Sequence, residues 1–128
     1  MAVTPQSNVE IVRGVYDGFN EGDIDSVLAR MADDIEWTEP DGIMFAGTYR
    51  TPTAVLENVF QPAMREFKTF RVEPDQFIDG GDTVVALGMF RATTEADEQI
   101  ESPFAHVYEH HDGRITRFVN YTDTALWQ

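Results

Sequence analysis

The chain of 128 residues contains no cysteine, which excludes disulfides, thiolate metal sites and thiol nucleophiles together. It also contains no apolar run of about 18 residues that could cross a membrane. The first residues, MAVTPQSN, lack the basic and apolar parts of a signal peptide. These absences favour a cytoplasmic protein whose fold needs neither a disulfide nor a structural metal.

Positive charge is also scarce. Nine basic residues stand against 23 acidic ones, which gives a net charge of −14, and Lys68 is the only lysine. A surface this negative repels phosphate backbones and anionic lipids, so we expect no nucleic acid and no membrane among the partners. An arginine-favouring genome and a salt-rich cytoplasm are both open as explanations of this composition.

The rest of the composition is that of a globular protein, with 42% hydrophobic and 25% charged residues. About 100 to 150 residues usually form one folding unit. The sequence shows no internal repeat, no low-complexity tract and no linker rich in proline, glycine or serine. We therefore expect a single domain over residues 1–128.

The first half of the sequence predicts three helices. Their starts carry capping residues, which are Ser7 with Glu10, Asp23, and Thr51 followed by Pro52. Apolar residues follow each cap at spacings of three and four, as on one face of a helix. Residues 20–22 (NEG) end the first helix, and Pro62 can kink the third.

The second half changes to the period of two that is typical of strands. We expect strands over residues 70–78, 83–94, 100–110 and 114–124, with a shorter, earlier strand over 35–39. Pro103 predicts a bulge or a local edge, and Asp112-Gly113 predicts a hairpin turn. Helices followed by antiparallel strands predict an α+β fold with the helices on one face of a sheet.

Several segments, in this order, resemble the SnoaL-like and ketosteroid isomerase-like branch of the nuclear transport factor 2-like superfamily. They are residues 20–23 (NEGD), 32–37 (ADDIEW), 47–50 (GTYR), 102–107 (SPFAHV), 112–115 (DGRI) and 121–124 (YTDT). The resemblance implies a cone-shaped α+β barrel, in which three helices from the N-terminal half pack on the concave face of a curved, mostly antiparallel sheet. It also implies an apolar pocket for a hydrophobic small-molecule ligand, no cofactor, and commonly a homodimer.

The strand over residues 83–94 is consistent with a homodimer, because both of its faces are partly apolar. One face must cover the helices, so the other needs a partner. The family contains isomerases, polyketide cyclases, epoxide hydrolases, dehydratases and proteins without known catalysis. Fold alone therefore assigns no activity, and the site has to be argued from its residues.

Glu39 is the first candidate catalytic residue. Strand alternation places it on the same face as Ile35 and Trp37, and its position is similar to that of the aspartate base of ketosteroid isomerases. The alternative is that the strand end frays and Glu39 points into water. If Glu39 lies beside Trp37, burial should raise its pKa, and a nearby protonated His106 should lower it again, so that the two titrate together.

His106 is the second candidate, because it shares a strand face with Phe104 and Tyr108. Its position is similar to that of the proton-donating aspartate of ketosteroid isomerases when one residue is removed from the following hairpin. An imidazole can donate a hydrogen bond to an enolate or serve as acid or base near neutral pH. Asn120 could orient the histidine or bind a substrate oxygen. Asp123 could act as a carboxylate, as in some cyclases of the family. A buried polar role is the alternative for His106 and Asn120, and fastening of the terminus or dimer is the alternative for Asp123.

The predicted substrate-binding residues are apolar or aromatic, namely Tyr16, Trp37, Met44, Phe45 and Phe118. Tyr16 stands one residue away from the position of the oxyanion-hole tyrosine of steroid isomerases, which argues against that activity. No metal is expected, since His106, His110 and His111 cannot all reach one ion and no HExxH motif occurs.

Two functions remain open from the sequence. The first is a cofactor-independent isomerase, cyclase or dehydratase acting on an apolar carbonyl compound. The second is a non-catalytic module that binds a hydrophobic small molecule or dimerises. A titratable pair in the pocket favours the enzyme, whereas polar residues locked in mutual hydrogen bonds favour the module.

Overall fold

The structure is a computed structural model that describes residues 7–128. Helix α1 spans Asn8–Glu21, and the Ser7 side chain accepts a hydrogen bond from the Glu10 amide at its start. Gly22 ends this helix with a φ of 78°, a conformation that glycine adopts without strain. Both ends of the first predicted helix are therefore confirmed.

Helix α2 spans Ile24–Ala29, and Asp23 caps it by accepting a hydrogen bond from the Ser26 amide. The third helix, α3, has three segments, which are Pro52–Val55, a π-helical turn Leu56–Phe60, and Gln61–Glu66. In the π-helical turn the Gln61 amide bonds back to the Leu56 carbonyl. The wider turn comes directly before Pro62, which has no amide hydrogen to donate, so the proline alters the helix without ending it.

Six strands form one curved, open sheet. They are β1 Met31–Glu39, β2 Gly47–Tyr49, β3 Phe67–Gly80, β4 Thr83–Thr94, β5 Gln99–His111 and β6 Arg114–Thr122. The strand order is β2-β1-β6-β5-β4-β3, with β1 parallel to β6 and all other neighbours antiparallel. The α+β class and the three helices on a mostly antiparallel sheet are confirmed. The sheet does not close into a barrel, because β2 and β3 form its two edges.

Several strand boundaries differ from those predicted. The strand expected over 35–39 begins four residues earlier, at Met31. The last strand ends at Thr122, and the 3₁₀ helix Thr124–Trp127 follows it. Strand β2 was not predicted, since its three residues are too few to show a period.

Pro103 lies at a local edge and forms no bulge with β4, where it pairs with Met89 in continuous register. Its carbonyl oxygen accepts a hydrogen bond from Thr122 Oγ1 at 2.7 Å, beyond the point where the backbone pairing of β6 with β5 ends. The phase of β5 is therefore undisturbed. Alternate residues of β5 face the core, and they are Phe104, His106, Tyr108 and His110.

The core lies between the helices and the concave face of the sheet. It includes Ile11, Val12 and Val15 from α1, Val55 and Val59 from α3, and alternate residues of β4, β5 and β6. No helix in the described part of the chain is long and apolar enough to cross a membrane.

Candidate functional site

A cavity opens between the helices and the concave face of the sheet. Its polar side chains are few and come from α1, β1, β5 and β6, namely Tyr16, Glu39, His106, Tyr108 and Asn120. The remaining lining residues are apolar or aromatic, and include Trp37, Phe45, Phe60, Phe70, Phe90, Phe118 and Trp127. Such a cavity can bind an apolar molecule and orient it through a few polar contacts.

Glu39 is the last residue of β1 and is only 6% exposed. The predicted alternation holds, because Ile35, Trp37 and Glu39 all face the core. Trp37 Nε1 donates a hydrogen bond to Glu39 Oε2 at 2.7 Å, and Asn120 Nδ2 donates one to Oε1 at 2.9 Å. Each carboxyl oxygen thus has one fixed donor, and the carboxyl group is held in one orientation within the cavity wall.

Burial raises the pKa of Glu39 to about 7, and the hydrogen bonds from Asn120 and Trp37 oppose this shift. Removal of the carboxylate from water destabilises it by more than the two hydrogen bonds from neutral donors stabilise it. The carboxyl group therefore exchanges its proton near neutral pH. This property is unusual for a glutamate, and it is the one that a general base needs.

His106 is bonded through a chain of two tyrosines. The Tyr108 hydroxyl donates to the Tyr16 hydroxyl at 2.9 Å, and the Tyr16 hydroxyl lies 2.8 Å from His106 Nδ1. Burial raises the pKa of both tyrosines, so both hydroxyls keep their protons. Because Tyr16 accepts from Tyr108, its own hydrogen is left for Nδ1, and the imidazole proton is then on Nε2.

The imidazole stays neutral in the range where Glu39 titrates. Burial lowers the pKa of His106 to about 3, and the neighbouring Asn120 amide opposes the shift only partly. The expected joint titration of Glu39 and a protonated His106 is therefore not found. An imidazole with this pKa cannot supply a proton near pH 7, so the role of acid gives way to that of neutral hydrogen-bond donor.

Asn120 connects the two candidate groups. The pairing of β5 with β6 sets it opposite His106, and the pairing of β1 with β6 brings Glu39 to its other side. Its Nδ2 is used by Glu39, whereas its Oδ1 is left for the neighbouring imidazole. The Asn120 side chain is thus shared between Glu39 and the His106 imidazole, whose pKa its hydrogen bond raises against the larger effect of burial.

The other predicted substrate-binding residues divide into two groups. Trp37 and Phe118 stack with ring centroids 3.7 Å apart, and Phe45 is buried in the same cavity wall. Met44 lies outside the cavity and is 56% exposed, because the turn before β2 directs it towards solvent. Its neighbour Phe45 has the buried position instead.

Asp123 also lies outside the cavity. It is an exposed residue between β6 and the 3₁₀ helix, and its backbone oxygen accepts a hydrogen bond from the Leu126 amide. The strand was expected to run through this position, but it ends one residue earlier. The structure brings Glu39, His106 and Asn120 together and leaves Asp123 apart.

The predicted site left out two lining residues of the cavity, one tyrosine and one tryptophan. Tyr108 was expected on the same strand face as His106, as one possible partner of a structural histidine, and its bond to Tyr16 joins residues 92 positions apart. Trp127 lies in a 3₁₀ helix of four residues, which is too short for a periodic signal. Nothing in the local sequence indicates that this tryptophan folds back onto Phe70 and Phe90.

Within residues 7–128, no group of three histidine, aspartate or glutamate side chains is placed to hold a metal ion. His110 and His111 lie at the far end of β5, and only His106 belongs to the cavity.

Comparison with known proteins places this geometry in a family. A model described as the SnoaL-like domain matches residues 12–118, which is most of the chain. The chain belongs to the SnoaL-like family. No curated protein matches this SnoaL-like chain.

Solved structures agree with the family. A nuclear transport factor 2-like protein from Burkholderia thailandensis E264 is 33% identical, with 94% of each chain covered and a TM-score of 0.90. TerC, co-crystallised with polyporic acid, is 30% identical, with 92% of each chain covered and a TM-score of 0.83. A hypothetical protein with a ketosteroid isomerase-like fold from Catenulispora acidiphila DSM 44928, in complex with trimethylamine, is 13% identical. It covers 91% of this SnoaL-like chain and 86% of its own, with a TM-score of 0.78, and shows the fold alone.

Proposed function

We propose that this SnoaL-like protein is a small, cofactor-independent enzyme that catalyses proton transfer on an apolar carbonyl compound. The observation that carries the proposal is Glu39, a buried carboxyl group in an apolar cavity with its pKa raised to about 7. At about pH 7 half of the molecules carry Glu39 as a carboxylate. This carboxylate can act as a general base towards the carbon next to a carbonyl group.

The proposed step uses Glu39 as the base. Its carboxylate takes a proton from the carbon next to the carbonyl, and the bonding electrons move towards the carbonyl oxygen. That oxygen accepts a hydrogen bond from His106 Nε2, which strengthens as negative charge develops. Asn120 and Trp37 keep the carboxylate in place, and each carboxylate oxygen retains a second lone pair for the proton.

The later fate of the enolate defines the reaction type. Return of the proton from Glu39 to a different carbon gives isomerisation. Attack of the enolate carbon on a second carbonyl gives cyclisation, and the new alkoxide takes the proton from Glu39. Expulsion of a β-hydroxyl gives dehydration, and the proton from Glu39 converts the leaving hydroxide to water. None of these steps needs an oxidant or a reductant. A neutral imidazole suits all of them, because it stabilises the oxyanion without placing a cation beside Glu39.

The proposal is tested by deuterium exchange at the α-carbon of 1-tetralone in D₂O, followed by proton NMR. We expect the protein to accelerate the exchange, with a rate that rises through about pH 7 and then levels off. Glu39→Gln should reduce the exchange to the buffer rate. Glu36→Gln, which changes the same side chain on the outer face of the same strand, should leave it unchanged. Exchange at the buffer rate throughout pH 6 to 9 would contradict the proposal.

A non-catalytic binding module is the second candidate. The observation in its favour is that both Glu39 oxygens and His106 Nδ1 are already engaged in protein hydrogen bonds. TerC, a relative with a comparable fold, was co-crystallised with a small molecule, which supports ligand binding in either case. Saturable binding of 1-tetralone without α-exchange would favour the module.

Assembly and location are further parts of the proposal. The outer face of the sheet carries an apolar patch, half-buried at Val85, Leu87, Met89, Val107 and Val119, with Ile78 and Tyr121 exposed beside it. Ion pairs flank the patch, between Arg91 and Glu73 on one side and between Arg117 and Glu109 on the other. We propose that the patch is covered in a homodimer. We also propose a cytoplasmic location, and the net charge of −14 supports the absence of nucleic-acid and membrane partners.

A further inference from the structure

Strand β2, within the segment 47–50 (GTYR), forms one edge of the sheet next to the proposed base. It pairs with β1, so that Gly47 lies opposite Glu39 and Tyr49 lies opposite Trp37. Residues that are directly paired point to the same face of a sheet. Gly47 and Tyr49 therefore lie on the concave face, on the side of Glu39 that is nearer to the edge.

Gly47 has no side chain that could cover the carboxyl group of Glu39, which it opposes. The Tyr49 side chain occupies this space instead, since a Cβ atom at Gly47 would lie 3.1 Å from the Tyr49 hydroxyl oxygen and 3.3 Å from the ring carbon that carries it. The tyrosine thus extends along the edge strand towards the end of β1.

The Tyr49 hydroxyl is tied to the β1–β2 loop, residues 40–46. It donates a hydrogen bond that is shared between the Phe45 carbonyl oxygen, at 2.8 Å, and the Ala46 carbonyl oxygen, at 2.9 Å. The same loop places Ile43 and the buried Phe45 in the cavity wall. One hydroxyl group therefore holds the loop that closes the cavity at the end of β1.

Electrostatics agree with a close approach of Tyr49 to Glu39. Burial raises the pKa of the Tyr49 hydroxyl, and the negative charge of the Glu39 carboxylate raises it further. Tyr49 is not one of the residues that line the cavity, so it lies behind the wall and does not face a ligand. Any effect of Tyr49 on the site must then pass through the loop and Glu39.

We propose that Tyr49 is a positioning residue for Glu39, and that its hydroxyl holds the β1–β2 loop against the end of β1 and so keeps water from the carboxyl group. This inference rests on the proposed function, because it concerns the hydration of the proposed base. With the loop in place, Glu39 stays buried. With the loop released, water reaches Glu39 and makes it an ordinary, weaker base.

The other titratable groups near Glu39 keep one charge state around pH 7. Burial raises the pKa of Tyr16 and Tyr108 and lowers that of His106, so the two hydroxyls keep their protons and the imidazole stays neutral. The residues of α3 that line the cavity are apolar, and Asp41 in the β1–β2 loop is exposed to solvent. A change in the pKa of Glu39 therefore reports its contact with water and not a change of charge nearby.

The test is the pKa of Glu39 in Tyr49→Phe, measured by carboxyl ¹³C NMR without a ligand. The substitution keeps the aromatic ring and removes the hydroxyl that holds the loop. We expect the midpoint of the Glu39 titration to fall from about 7 in the wild-type protein to about 6 or below. Amide hydrogen exchange of residues 43–46 should become faster in the same variant, since the loop opens more often.

Two controls accompany this measurement. Thr48→Val removes a hydroxyl from the outer face of the same strand, where it is bonded to Thr38 Oγ1 at 3.0 Å, and should leave the Glu39 midpoint unchanged. In the wild-type protein, the Tyr49 ¹³Cζ resonance should shift with a midpoint of about pH 7, and Glu39→Gln should abolish this shift. The second control does not depend on the folding of Tyr49→Phe.

An unchanged Glu39 midpoint in Tyr49→Phe, an equal fall in Thr48→Val, or a Tyr49 resonance that does not respond to Glu39 would make Tyr49 a packing residue and overturn the proposal. The outcome is separate from that for the proposed function, because the titration uses no substrate. A lowered midpoint without α-exchange by the wild-type protein would retain the role of Tyr49 and reject the proton transfer. Exchange by the wild-type protein with an unchanged midpoint in Tyr49→Phe would do the reverse.

Discussion

Glu39 makes the protein less stable when it is ionised. Its pKa is raised from 4.5 to about 7 in the fold, so between these values the folded chain keeps a proton that the unfolded chain has released. Protonated Glu39 therefore contributes to the unfolding free energy. This contribution has its full value below about pH 4.5 and is lost as the pH rises through about 7.

We therefore expect Glu39→Gln to gain stability relative to the wild-type protein as the pH rises. Between pH 5 and pH 8 the difference in unfolding free energy should change by about 2 kcal/mol. The new amide can be accommodated because the Asn120 amide can turn over and present its Oδ1 to it. Urea unfolding at both pH values measures the effect, with Glu36→Gln as the control. A difference that does not vary with pH would show that Glu39 titrates as an ordinary carboxylate.

The tautomer of His106 depends on Tyr16. In the wild-type protein, imidazole ¹⁵N spectra should show a protonated Nε2 and an unprotonated Nδ1, unchanged from pH 5 to pH 9 because the pKa of His106 is lowered to about 3. Tyr16→Phe removes the donor to Nδ1 and should produce a mixture of both tautomers. Tyr121→Phe, at an exposed tyrosine, should leave the spectra as in the wild-type protein. A single Nε2 tautomer in Tyr16→Phe would show that the tyrosine chain does not set the proton position.

Strand periodicity predicted which faces Glu39 and His106 occupy, because alternation is a local property of the chain. The donors that hold them could not be predicted in the same way. Asn120 and Tyr16 reach their partners across 81 and 90 residues, so their bonds depend on strand order and register. Met44 was misplaced because a turn residue has no period, and its neighbour Phe45 turned inward instead.

At the scale of the elements, a glycine in β4 allows this strand to pair closely with the irregular part of β3. Gly88 pairs with Pro74, next to a register shift between Pro74 and Gln76. A Cβ atom at Gly88 would overlap the Glu73 carbonyl oxygen and lie 2.6 Å from the Phe104 ring. The two strands can approach this closely only because residue 88 has no side chain.

Gly88→Ala should lower the unfolding free energy by about 2 to 3 kcal/mol, because backbone and an aromatic ring would both have to move. The reverse change two residues earlier, Ala86→Gly, removes a buried methyl group and should cost only about 1 kcal/mol. Chemical denaturation of both variants gives the comparison. Similar losses in the two would mean that β3 moves aside at little cost.

The boundaries of the elements were predicted best where capping residues or turn glycines mark them. Ser7, Asp23 and Thr51 each cap a helix as expected, and Asp112 and Gly113 both adopt the positive φ of a tight hairpin. Neither a capping residue nor a turn glycine marks the start of β1 at Met31. Its first residues extend the strand through pairing with β6, a contact that the local sequence does not indicate.

At the scale of the whole molecule, the proposed dimer must overcome the repulsion between two chains of net charge −14. We expect dimerisation to be stronger at about 0.5 M salt than at about 0.05 M, because added salt screens this repulsion. Leu87→Glu places a charge within the apolar patch and should give a monomer in sedimentation velocity. Thr53→Glu adds the same charge on α3 and should leave the dimer intact. A wild-type monomer at micromolar concentration in both salts would contradict the dimer.

The pairing of β1 with β6 also determines when the cavity forms during synthesis. Glu39 emerges from the ribosome long before Asn120, and Tyr16 long before His106 and Tyr108. Contacts between residues so distant in sequence are late events in folding, since the intervening chain must first be ordered. While β6 is still inside the ribosome, the apolar face of α1 and the Glu39 carboxyl group therefore lack their partners. Because β6 is the last strand of the sheet to be made, it completes both the sheet and the site, and the apolar face of the earlier elements is open to aggregation until β6 has left the ribosome.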